Sequence, residues 1–223
     1  MADNFILRKR AAVLCLDAPP TLPVTPAMEK ARRKLLAKRH KTLSKSIIKH
    51  QGRVVRVRGD EILAVFVEAQ QAVGCAIDFQ KHAIARNKNV APEKQVHFRA
   101  GVGLGQIAVD KETIEGDAVT LATDLCAAML PDGVWVSSEV PNDLQGRMPV
   151  VLTEVDAPLA PPPLTSPTST SHGPAFAVDL SKQPSMRAAD FLLPNGRGGW
   201  LTLIAPMSAM LILVVIAYFW FAS

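Results

Sequence analysis

An α+β domain followed by a single transmembrane helix is the fold class this sequence predicts, and three observations predict it. Residues 11–16 and 52–66 read as strands, the second run folding back on itself at Gly59-Asp60 as a hairpin. Residues 30–49 place Ala31, Leu35, Leu36, Leu43 and Ile47 on one helical stripe, with the basic residues expected outward. Residues 200–221 contain no charged side chain and would span about 33 Å as a helix, enough to cross a bilayer.

The strands matter for what they carry to their ends. The first run ends in Asp17 and the hairpin turns at Asp60. Two apolar strands that each bring one carboxylate to a turn are a means of building a divalent-metal site from oxygen ligands. Either residue alone also reads as a turn residue, because Gly tolerates positive φ and Asp bonds its own backbone.

The order of the surrounding segments resembles the class III adenylate/guanylate cyclase catalytic domain over residues 5–181. The first strand and Asp17 are followed by a long helix ending at His50-Gln51-Gly52, the Gly59-Asp60 hairpin and a helix over residues 68–80. Residues 97–109 look like the family's glycine-bearing strand pair. The run from Gly116 to Ala122 stands where the family has a Gly-x-x-Val-Asn-x-Ala-Ala-Arg helix start, and residues 131–138 match its Gly-strand-Ser segment. The resemblance implies a mostly antiparallel, ferredoxin-like sheet flanked by helices, a head-to-tail homodimer or heterodimer, and Mg2+ or Mn2+ held by Asp17 and Asp60.

It also implies that the chemistry has degenerated. Where active members read the base with Lys and Asp, and orient ribose and phosphate with Asn and Arg, this chain has Arg56, Thr113, Thr120 and Asp124. The Arg56 fork is not equivalent to an ammonium. Thr113 cannot accept the adenine amino proton as a carboxylate would, and Thr120 is too short to replace an amide. Asp124 exchanges a cation beside a triphosphate for an anion; one such contact is worth on the order of 3 kcal/mol at about 5 Å and an effective dielectric near 20, and the reversal changes its sign. After Asp17, Ala18-Pro19-Pro20 replaces a turn whose amides approach the phosphates, and proline has no amide hydrogen to offer.

Composition bounds the rest. With 223 residues and 48% apolar content, the chain can bury one good core and carry an appendage. Cys15, Cys75 and Cys126 are far apart, without metal-ligand spacing, and read as buried free thiols. The histidines, His40, His50, His82, His97 and His172, show no ligand spacing either. Gly101, Gly103 and Gly105 fall within a strand pair and not at a strand-to-helix turn, which disfavours a nucleotide fingerprint.

Trp200 near one end of the apolar run, and Tyr218 with Trp220 near the other, match an aromatic belt. Arg187 and Arg197 flank the near side and only Ala222 and Ser223 follow, so a tail anchor with the globular domain facing the cytoplasm is expected. No signal peptide is evident at the start. The domain is expected over residues 1–181, with a Pro/Ser/Thr-rich insertion at 157–174 before a last strand at 175–180. A Gly-bearing tether over 182–199 then leads to the transmembrane helix at 200–222.

Of the 25 Lys and Arg residues, 15 fall in the first 60 positions, most of them on the helix near 28–49. Such asymmetry suits either a solvated helix face or contact with anionic lipid headgroups. Nucleic acid is not expected, because aromatics able to stack on bases are scarce. The expectation is a membrane-anchored cyclase-homology module, not active alone, that acts in signalling by dimerisation or partner binding. The alternatives are an active adenylate or guanylate cyclase, including the metal-donating half of a heterodimer, and a basic membrane-associated scaffold.

Overall fold

The computed structural model describes residues 7–20, 26–109, 114–155 and 173–182. The chain splits into two compact units, Met1–Phe191 and Leu192–Ser223, and every described residue belongs to the first. The expected transmembrane helix, the tether beyond residue 182, most of the Pro/Ser/Thr-rich insertion and Thr113 lie outside the described residues. Among the described residues no helix is long and apolar enough to cross a membrane.

The elements run β1 (Leu7–Asp17), α1 (Pro26–Lys49), β2 (Arg53–Arg58), β3 (Glu61–Phe66), α2 (Ala69–Asn87), β4 (Arg99–Val109), β5 (Ile114–Glu115), α3 (Asp117–Ala128), β6 (Val134–Val136), α4 (Val140–Leu144), β7 (Leu152–Val155) and β8 (Ala175–Val178). One sheet holds all the strands in the order β2-β3-β1-β4-β6-β8-β7, with β5 paired to β4. Every pair is antiparallel except β4 with β6. The expected α+β sheet flanked by helices is present.

β1 explains the layering. Its even-numbered Ala12, Leu14 and Leu16 join one buried cluster with residues of α1 and α2, while Ala11, Val13 and Cys15 join a second with Ala118, Ala122 and Cys126 of α3. Helices therefore cover both faces. A strand buried on both sides must be apolar throughout, which is why residues 11–16 do not alternate.

Two expectations need correction. Residues 97–109 do not form a strand pair: Arg99–Val109 is one continuous strand beside β1, and its short antiparallel partner comes later, at Ile114–Glu115. Two of the three glycines inside β4, Gly101 and Gly103, serve helix packing. A Cβ at Gly101 would overlap the Ala122 carbonyl, and one at Gly103 would overlap the Ala118 carbonyl, so α3 can lie directly on the strand.

The second correction concerns α1. Ala31 is exposed, whereas Arg32 is half-buried and Arg39 only 8% exposed. The inward stripe is Arg32, Leu36, Arg39, Leu43, Ile47 and His50, spaced by three or four residues as one helical face demands. Burial and the nearby Arg86 charge pull the Arg39 guanidinium below its ordinary pKa.

Candidate metal and nucleotide site

Asp17 closes β1 directly opposite Arg99, the first residue of β4. Arg99 donates to Asp17 Oδ2 from Nη2 at 2.7 Å and from Nε at 3.1 Å, and its Nη1 donates to the Ala127 carbonyl at 2.9 Å. The Asp17 carboxylate is thus held across the strand pair by a charge-assisted contact. The same guanidinium ties the strand end to the end of α3.

Asp60 sits in the two-residue turn between β2 and β3, where Gly59 has φ +62°. A left-handed φ there is what glycine supplies without strain. Antiparallel pairing sets Leu16 of β1 against Ile62 of β3, so the end of β1 and the β2–β3 turn lie at the same end of the sheet. The two aspartates of the sequence reading therefore lie at the same end of the sheet.

The cations around them were not foreseen. Arg32 of α1 donates from Nη2 to Asp60 Oδ2 at 3.0 Å and also to the carbonyl of Ala18, the residue after Asp17. Arg32 is 18% exposed and Asp60 34%, so the pair is only partly screened by solvent. A cavity of about 620 Å³ opens here, lined by Pro20, Arg32, Leu36, His40, Gly59 and Asp60 among others. Burial lowers the pKa of His40, with the Asp60 charge acting in the opposite direction.

As arranged, these residues do not fit a divalent ion. Mg2+ needs carboxylate oxygens at about 2.1 Å in near-octahedral geometry, and here each aspartate already presents an oxygen to a guanidinium. Among the described residues no group of three or more His, Cys, Asp and Glu side chains could hold a metal.

The other candidate residues lie on different elements. Arg56 is on the edge strand β2 and donates to Glu61 Oε1 at 2.9 Å. Thr120 is exposed in the first turn of α3, its hydroxyl 3.5 Å from the Gly116 carbonyl. Asp124 follows one turn later, half-buried. Thr113 lies outside the described residues. The signal that would have found Arg32 is the spacing 32, 36, 39, 43, 47, 50, once an arginine is allowed on an inward face.

No protein-family model matches the chain. A relative in Rhizobium meliloti (strain 1021), described as putative adenylate cyclase 3, is 34% identical over 148 residues, which is 66% of this chain. The chain spans only 25% of that relative's length. Among solved structures, an adenylate/guanylate cyclase/hydrolase from Silicibacter pomeroyi matches with TM-score 0.64 at 24% identity, over 78% of this chain and 98% of that one. A P. aeruginosa adenylyl cyclase matches with TM-score 0.60 at 19% identity, over 78% and 95%. A bacterial light-regulated adenylyl cyclase gives TM-score 0.63 at 16% identity, over 83% and 56%. The described residues therefore form a nucleotide cyclase-like domain.

Proposed function

We propose that this chain is a membrane-anchored class III cyclase-homology module that does not turn over nucleotide by itself and acts in signalling by pairing with a second cyclase domain. The observation that carries this reading is the composition of α3. That helix, DAVTLATDLCAA, holds two carboxylates and no Lys or Arg. By resemblance its Thr120 and Asp124 stand where an active domain has an amide and a guanidinium. Phosphoryl chemistry depends on cations aimed at the charge that develops on the phosphate oxygens. An anionic face supplies the wrong sign.

Residues 200–222 are the proposed anchor, with the domain on the cytoplasmic side. The outer face of α1 supports an accessory role at anionic lipid, since Lys30, Arg33, Lys34, Lys38, Lys41, Lys45 and Lys49 are all exposed. Each basic group near such a surface contributes about 1 kcal/mol.

A second reading is favoured by the placement of Asp17 and Asp60 at one end of the sheet. In it the chain is the half of a heterodimer that donates Mg2+ or Mn2+ ligands once Arg32 and Arg99 release the two carboxylates, while the partner supplies the base-reading and Asn/Arg groups. Mixing the full chain with a complete cyclase homologue whose own metal aspartates are mutated separates the two. Heterodimer formation without cyclic-nucleotide synthesis is expected. Synthesis that is lost with Asp60→Ala in this chain would favour the half-site reading instead.

A further inference from the structure

The cation beside Asp60 is already part of the chain. Arg32 reaches it from the inward face of α1, one turn before Leu36, which is 4% exposed and fixes that face against the sheet. From one nitrogen it contacts an anionic oxygen of the β2–β3 turn and the neutral carbonyl oxygen of Ala18. A carboxylate and a backbone carbonyl from two converging segments are the kind of hard oxygen donors a divalent ion would take. The guanidinium holds both.

We infer that Arg32 is the resident cation of this site, neutralising Asp60, bridging it to the segment after Asp17, and excluding a divalent metal for as long as it stays in place. Two features make the exclusion effective. The guanidinium already occupies the oxygens an incoming ion would take, one on Asp60 and the carbonyl of Ala18. An incoming metal would also meet a fixed positive charge at close range in a partly desolvated cavity, where screening is weak. Asp17 is engaged in the same way, because Arg99 donates twice to its Oδ2.

This inference concerns metal binding and stands apart from whether the chain turns over nucleotide. The test is Mn2+ binding to the full-length chain in detergent, read by loss of the free-ion electron paramagnetic resonance signal. Arg32→Ala is expected to bind Mn2+ roughly tenfold or more tightly than the parent, and the gain should vanish in Arg32→Ala/Asp60→Ala. Equal affinity of parent and Arg32→Ala overturns the proposal, as does a gain that survives loss of Asp60. Should Arg32→Ala fail to fold, Arg32→Gln removes the charge while keeping a donor for the Ala18 carbonyl.

A measurement on the parent needs no Arg32 variant. Millimolar Mn2+ is expected to leave its thermal midpoint unchanged, since only a ligand that binds the native state raises it. A rise that is lost in Asp60→Asn overturns the inference. Cyclic-nucleotide synthesis by Arg32→Ala but not by the parent would contradict the silent-module reading without touching this one, whereas metal-dependent synthesis by the parent that is lost in Asp60→Ala would overturn both.

Discussion

Gly101 of β4 lies under the Ala122 carbonyl of α3 so closely that a Cβ on the glycine would overlap that oxygen and come within 2.8 Å of the Cys126 amide nitrogen. Neither neighbour can give way, because both are helix backbone. Gly103 repeats the arrangement under Ala118, with the Ala122 amide at 2.8 Å, but the nearest atom to a Cβ at Gly105 would be 3.4 Å away. Gly101→Ala and Gly103→Ala should each cost about 1–3 kcal/mol of stability by overpacking. Gly105→Ala should be close to neutral. Urea midpoints of the three variants check this, and equal losses at all three would contradict the packing explanation.

The thiols should be inert in the folded protein. All three cysteines are buried and free. Burial pushes the Cys75 thiol up to about 12, while a hydrogen bond with Cys126 and burial raise that of Cys15. The thiolate is the reactive form, so little of it exists at these sites near pH 8. An aromatic disulfide reagent should titrate no cysteine quickly in the native state and three after addition of denaturant. Rapid native labelling of Cys75 would contradict the burial that causes the shift.

His40 should make the fold acid-sensitive. Its folded pKa is depressed, chiefly by burial, so below the ordinary imidazole pKa the unfolded chain binds more protons than the folded one. The stability linked to His40 is therefore fully present above that pKa and lost as pH falls through it. Urea midpoints at about pH 7.5 and pH 5.5 should fall less in His40→Gln than in the parent. An identical fall in both would show that other groups govern the acid limb.

What could be read in the sequence, and what could not, follows from how far each signal reaches along the chain. Asp17 and Gly59-Asp60 were legible because strand ends and turns are local, and so was the last strand at Ala175–Val178. Its place between β6 and β7 was not, because strand order is set by pairing between distant segments. Arg32 and Arg99 were missed for another reason. Arginine is read as a solvent residue by default, yet its apolar stem can lie on an inward face while its head finds an oxygen. Only the positions of Asp60 and Asp17 in space show that such oxygens are waiting.

The proposed anchor gives a separate prediction. The full chain should fractionate with membranes and resist carbonate extraction, because residues 200–221 are uncharged and long enough to span a bilayer. Residues before the anchor should be open to protease from the cytoplasmic side. Full-length protein that stays in solution without detergent would contradict it.

Nucleotide turnover by the purified full-length chain is the decisive measurement. The chain in detergent, given Mg2+ or Mn2+ with ATP or with GTP, should form no 3′,5′-cyclic nucleotide above the protein-free blank, since α3 presents Thr120 and Asp124 and no cation. Metal-dependent synthesis that disappears in Asp17→Ala or Asp60→Ala would contradict this and make the chain a working cyclase.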